Sequence, residues 1–153
     1  MSATANCPKN LVVSAQELVD FIRSLQSVVV AFSGGVDSSV VACAAYKALG
    51  ERAWAVLGIG PAVSQRERAE AAGIAAQMGI RFRELPTQEI LDPSYARNDF
   101  QRCFYCKTSL YRALSDMARA EGLHHVLSGT NAEDQNDYRP GLKAAQEYQV
   151  IAP

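Results

Sequence analysis

Residues 28–39, VVVAFSGGVDSS, leave few folds open to the chain that carries them. Three β-branched valines followed by Ala31 and Phe32 form a short apolar run, the pattern of a strand covered on both faces. Ser33, Gly34 and Gly35 stop it abruptly. Adjacent glycines let a backbone turn tightly and approach a ligand closely, and Asp37, Ser38 and Ser39 offer helix-capping side chains ahead of an Ala/Val-rich helical run. Strand, Gly-rich turn and helix start together make an anion site, because the N–H groups and partial positive charge of a helix N-terminus favour a phosphate. A strand-to-helix turn with no ligand is the competing reading.

The rest of the chain supports an α/β domain. At 153 residues it has the length of one domain, enough to bury about 70% of the surface its unfolded chain exposes. No apolar run approaches the roughly 20 residues of a membrane span, and no membrane partner is expected. The first ten residues do not resemble a signal peptide, and four cysteines without a leader point to reduced thiols in a cytoplasmic protein. A net charge of −1 gives no overall footprint for nucleic acid, which is not expected as a partner.

In chain order, residues 11–24 predict a helix, with Ser14 and Glu17 as a capping box. The helix after the Gly-rich turn is expected over 40–49 and stopped by Gly50, with Cys43 buried among alanines. A second strand follows at 53–57. Ser64 and Glu67 form another capping box, opening a helix that runs to Met78 and ends at Gly79. Residues 80–85 alternate like a half-exposed edge strand. A long irregular connection, 86–102, precedes a helix over 103–121, then a strand at 124–127 entering Ser128-Gly129-Thr130-Asn131. Val150 and Ile151 start a fifth strand. By analogy with other doubly wound parallel sheets, the strand order is expected to be 3-2-1-4-5. The crevice between strands 1 and 4 then places the glycine turn at 33–35 beside Gly129, Thr130 and Asn131.

Few side chains are suited to chemistry. His124 and His125 fall at the start of a strand, away from the ligand end, which argues against a Ser-His-Asp triad and for strand packing or solvated surface. Asp37 is placed to hold Mg²⁺ bridging phosphate oxygens, since that ion favours one or two carboxylates plus phosphate ligands. Asp134 follows the fourth strand on the same side, as does Asp137, and solvated loop charge is the alternative for both. Cys103 and Cys106, flanked by Arg102 and Lys107, form a CxxC pair at a helix N-terminus, a setting that favours a thiolate. Redox chemistry, metal ligation and sulfur transfer all remain open, as does no role. A zinc site would need a second pair, and an iron–sulfur cluster further ligands; this chain offers neither at suitable spacing.

The glycine turn lacks the GxxxxGK[ST] of a P-loop and the GxGxxG of a dinucleotide site. It is similar to the PP-loop motif SGGxDS. In that family the loop grips the β,γ-pyrophosphate of ATP while the α-phosphorus is attacked. SGGVDSS, RCFYCK and SGTNAEDQNDYRPGLKAA, in this order, resemble the N-terminal ATP pyrophosphatase domain of the LarE-type sacrificial sulfur transferases, over nearly all of residues 1–153. The resemblance implies an adenine nucleotide alpha hydrolase-like fold and adenylylation of a carboxylate on a nicotinic-acid-derived mononucleotide, followed by sulfur transfer towards a nickel-pincer cofactor. It implies ATP and Mg²⁺ as cofactors. Phosphates fall to Ser33, Gly34, Gly35, Asp37 and Ser38; the nucleotide to Gly129, Thr130 and Asn131, with Asp134 alongside; phosphate or substrate to Arg66 and Arg139. Asp37, Cys103, Cys106 and Lys107 are the catalytic candidates. Family members continue for about another such length, and sulfur delivery is expected to reside there. A PP-loop ligase resembling NAD synthase, a tRNA-thiolating relative and a non-catalytic nucleotide-binding module are the alternatives. A homo-oligomer is left open.

Overall fold

The computed structural model describes residues 8–60, 63–87, 102–129 and 149–151, with side chains from residue 15 in the first segment and from residue 109 in the third. Its elements are helix α1 (Pro8–Arg23), strand β1 (Val28–Ala31), helix α2 (Val36–Leu49), β2 (Ala53–Ile59), α3 (Gln65–Met78), β3 (Arg81–Pro86), α4 (Arg102–Glu121) and β4 (His125–Leu127). All strand pairs are parallel, in the order β3-β2-β1-β4. Ile151 bridges to Leu127 on the outer side of β4, where the Ser128 N–H donates to the Ile151 carbonyl at 2.9 Å. The expected order is observed for the first four strands, and Ile151 makes a single bridge at the place expected for the fifth.

Handedness explains the layering. Right-handed crossovers carry the chain from β1 through β2 to β3 in one direction, so α2 and α3 share one face; reversing direction to reach β4 puts α4 on the other. Side-chain alternation matches. Val28, Val30, Ala53, Ala55 and Leu57 pack with α1, α2 and α3, whereas Val29, Trp54, Val56 and Val126 pack with Tyr111, Leu114 and Met117 of α4. On the first face small residues meet small residues: Ala42, Ala45, Ala71 and Ala75 are fully buried over Ala53 and Ala55. Strand β3 is the described sheet's edge, and its exposed Arg81 and Arg83 suit that place.

Three local expectations need correction. Helix α1 begins at Pro8, so Ser14 and Glu17 lie inside it rather than at its cap; proline is well suited to a first helical position. Helix α2 begins at Val36, not at residue 40, which puts Asp37, Ser38 and Ser39 inside it; its N-cap is Gly35, with no side-chain cap hydrogen bond. Cys43 is exposed rather than buried. Helix α2 is apolar nearly all round, so composition concealed which side faces the sheet; Val36 (80% exposed) and Val40 (53%) also face out. By contrast, the Ser64–Glu67 capping box is complete: the Glu67 N–H donates to Ser64 Oγ at 3.1 Å and the Ser64 N–H to Glu67 Oε2 at 2.7 Å.

Candidate functional site

The site lies at the C-terminal ends of β1 and β4, where the chain's direction across the sheet reverses and α/β sheets open a crevice. The turn between β1 and α2 is held by its own serines. Ser38, 7% exposed, turns its hydroxyl inward, where Oγ accepts the Ser33 N–H at 3.1 Å and lies 3.1 Å from Ser33 Oγ. That hydroxyl also donates to the Gly35 carbonyl at 3.4 Å, and Ser33 Oγ accepts the Gly35 N–H at 3.3 Å. The first turn of α2 then presents main-chain N–H groups that have no acceptor within the helix.

Two glycines let neighbouring elements close on this turn. Gly34 has φ +85°, and a Cβ there would lie 3.2 Å from Ala71 Cα, so α3 packs directly against the loop. Gly129, which follows β4, is tighter still: a Cβ would sit 2.7 Å from the Ser38 backbone nitrogen and 2.9 Å from the Asp37 carbonyl carbon. A Cβ at 129 would clash with that backbone, so glycine is what lets the end of β4 pack directly on the first turn of α2.

Of the residues expected to contact phosphate, Ser33, Gly34, Gly35, Asp37 and Ser38 are brought together, with Gly129, expected on the nucleotide, against them. Arg66 stands in the first turn of α3, strongly exposed and ion-paired with Glu70 at 3.0 Å. Cys103, Cys106 and Lys107 lie in the first two turns of α4. Thr130, Asn131, Asp134 and Arg139 fall outside the described residues. Sequence reasoning missed Ala71, although the small residues of α3 were the available signal. It also missed Gly58, at the end of β2, where a Cβ would meet Leu110 Cδ1 of α4 at 2.5 Å. His124 and His125 are at the opposite end of the sheet; Ser27 Oγ accepts the His124 N–H at 2.9 Å and lies 2.7 Å from His124 Nδ1.

Asp37 is exposed in the first turn of α2, and no group of three potential metal ligands occurs among the described residues. This suits a Mg²⁺ ion that brings most of its oxygen ligands with a nucleotide.

The model of the NAD synthase family matches residues 10–133. The chain belongs to the NAD synthase family. It is 38% identical over 132 residues to the uncharacterized protein slr1717 of Synechocystis sp., covering 86% of this chain and 49% of that protein. It is 35% identical over 131 residues to the pyridinium-3,5-bisthiocarboxylic acid mononucleotide synthase of Lactiplantibacillus plantarum, covering 85% and 48%. This second match bears out the resemblance to the LarE-type PP-loop domain. The chain spans about half the length of these curated relatives. Among solved structures, the NH3-dependent NAD synthetase of Campylobacter jejuni, in complex with nitrate, superposes with a TM-score of 0.65 at 22% identity, over 79% of this chain and 57% of that one. The glutamine-dependent NAD+ synthetase of Acinetobacter baumannii, in complex with ADP, gives 0.68 at 23% identity, over 80% and 26%. At those identities the likeness speaks for the fold.

Proposed function

We propose that this chain is the ATP-binding domain of an enzyme that adenylylates a substrate carboxylate and releases pyrophosphate, in preparation for sulfur transfer to a nicotinic-acid-derived mononucleotide. The observation that carries the reading is the packing of Gly129 on the first turn of α2, which seats the end of β4 beside a glycine turn and the first-turn amides of a helix. Those amides and the helix charge hold the pyrophosphate portion of ATP. Ser38 fixes the turn from within, so its contribution to phosphate is made chiefly through its backbone. The carboxylate oxygen attacks the α-phosphorus, a P–O bond to the leaving group breaks, and the acyl adenylate is ready for a sulfur nucleophile that displaces AMP. Mg²⁺, held by Asp37 and phosphate oxygens, would supply charge neutralisation on the leaving pyrophosphate.

Thr130, Asn131, Asp134 and Arg139 are proposed to complete the nucleotide site, and Arg66 to contact phosphate or substrate. The substrate specificity follows the 35% identity to the mononucleotide synthase. Membership of the NAD synthase family favours a second reading, an amide-forming ligase using the same adenylylation. Titrating the chain with ATP and Mg²⁺ by calorimetry, then assaying AMP and pyrophosphate with nicotinic-acid-derived mononucleotides plus a sulfide or ammonia acceptor, separates the two. Formation of ADP and phosphate in place of AMP and pyrophosphate would overturn both.

A further inference from the structure

Helix α2 carries an apolar face that no described residue covers, although its other sides are filled. Val41, Ala42, Ala44, Ala45 and Leu49 are buried, with the sheet beneath them and α1 and α3 on the flanks. On the outer side Val36 and Val40, 80% and 53% exposed, stand in line with the exposed Cys43 and, one turn further, the exposed Lys47. Scattered apolar residues on a surface need no partner. A helix that is apolar all round, by contrast, is one that ends up covered all round.

The spacing of this face is that of a helix–helix seam. Residues 36, 40, 43 and 47 follow steps of four, three and four, the pattern of two helices packed side by side at about +20°. The series reads the same from either end. We propose that α2 pairs antiparallel with its own copy, across a two-fold axis that passes between residues 40 and 43. Val40 then meets Cys43 of the partner subunit, and Val36 meets Lys47 of the partner subunit. Charge selects the antiparallel sense. Parallel copies would bring the two Lys47 side chains together, whereas antiparallel copies set each Lys47 beside the first turn that carries Asp37. The macrodipoles of the two helices are then opposed as well. The apolar stem of Lys47 lies over Val36, and its ammonium stays at the rim of the seam.

Pairing of this kind delivers a lysine to the nucleotide edge. Lys47 of the partner subunit arrives opposite Val36, which separates the glycine turn from Asp37, where bound Mg-ATP adds negative charge. This consequence alone rests on the function proposed above. Attraction over about 10 Å of water with salt should make Mg-ATP tighten the dimer by about twofold to fivefold. At about 1.5 Å per residue the seam is about 16 Å long. That is the low end of specific interfaces, so the dimer is weak and depends on concentration.

Sedimentation equilibrium of the full chain over a wide concentration range, with and without saturating Mg-ATP, tests the pairing. A reversible equilibrium between monomer and dimer is expected. Val40→Glu puts an unpaired charge into the seam and should weaken the dimer at least about tenfold, with native circular dichroism. Lys47→Glu should weaken it too, since only antiparallel copies bring the new carboxylate towards Asp37. In the unsubstituted chain, a bismaleimide about 8 Å long should join Cys43 to Cys43 of the partner subunit, the pair being offset by about 4.5 Å along helices about 8–10 Å apart. The bridged peptides are read by mass spectrometry. A chain that stays monomeric throughout, a dimer indifferent to Val40→Glu, or one bridged only through other cysteines would overturn the pairing. A dimer unchanged by Lys47→Glu would overturn its antiparallel sense. A dimer constant unmoved by Mg-ATP, while calorimetry shows the nucleotide bound, would remove Lys47 from the nucleotide edge. Absence of ATP binding would overturn the proposed function instead, and the sedimentation and bridging results alone would then decide the pairing.

Discussion

Gly34, Gly129 and Asp37 each fix one physical requirement of the nucleotide edge. At φ +85°, Gly34 occupies a conformation that costs an L side chain about 1–2 kcal/mol, and Ala71 leaves the new Cβ little room. Gly34→Ala should lower Tm by about 2–8 °C, read by thermal unfolding. Gly129→Ala brings a Cβ against backbone atoms that have no flexible end to yield, so β4 and α2 must separate. It should weaken ATP binding at least about tenfold, equivalent to 1.4 kcal/mol, in a chain whose circular dichroism remains native. Unchanged affinity would remove Gly129 from the site. Asp37→Asn keeps the size of the side chain and removes its charge. Calorimetry with and without Mg²⁺ should show the larger loss with the ion, and equal losses would leave Asp37 a role in the helix start alone.

Elements explain which patterns could be trusted locally. Ser-x-x-Glu occurs twice, at 14–17 and 64–67, and only the second is a helix start. The motif satisfies backbone donors only where a helix begins, and in α1 the helix extends back to Pro8, leaving those donors already bonded. Ser64→Ala should therefore destabilise the chain by about 1 kcal/mol in urea titration, as loss of a working cap does. Exposure of Cys43 was illegible for a different reason: an apolar helix shows no face until its neighbours are known. The seating of α4 was equally hidden, since nothing near Gly58 announces Leu110. Gly58→Ala and Leu110→Ala should couple in a double-mutant cycle by about 0.5–3 kcal/mol, the second change relieving the crowding caused by the first. Additivity would mean that the two residues do not constrain each other.

At the scale of the molecule, one sheet divides two cores, and its single tryptophan reports on their union. Trp54 is 5% exposed on the α4 face, with the guanidinium carbons of Arg81 and Arg83 at 4.8 and 4.7 Å from its ring centroid. If both faces melt together, urea unfolding followed by Trp54 emission and by far-ultraviolet circular dichroism should give coincident curves. Separated midpoints would show that the α4 layer comes away independently. The sequence by itself determined the buried strand of valines, the glycine turn, the start of α3 and the exposed edge β3, because each depends on residues within a few positions. Right-handed crossovers extended that reading to the strand order. Only the tertiary structure decided that Ala71 abuts Gly34, that Gly129 rests on the start of α2, and that α4 meets β2 through Leu110. Those contacts join residues far apart in the chain at ångström tolerance, and such fits are set by the packing of whole layers, to which local periodicity is blind.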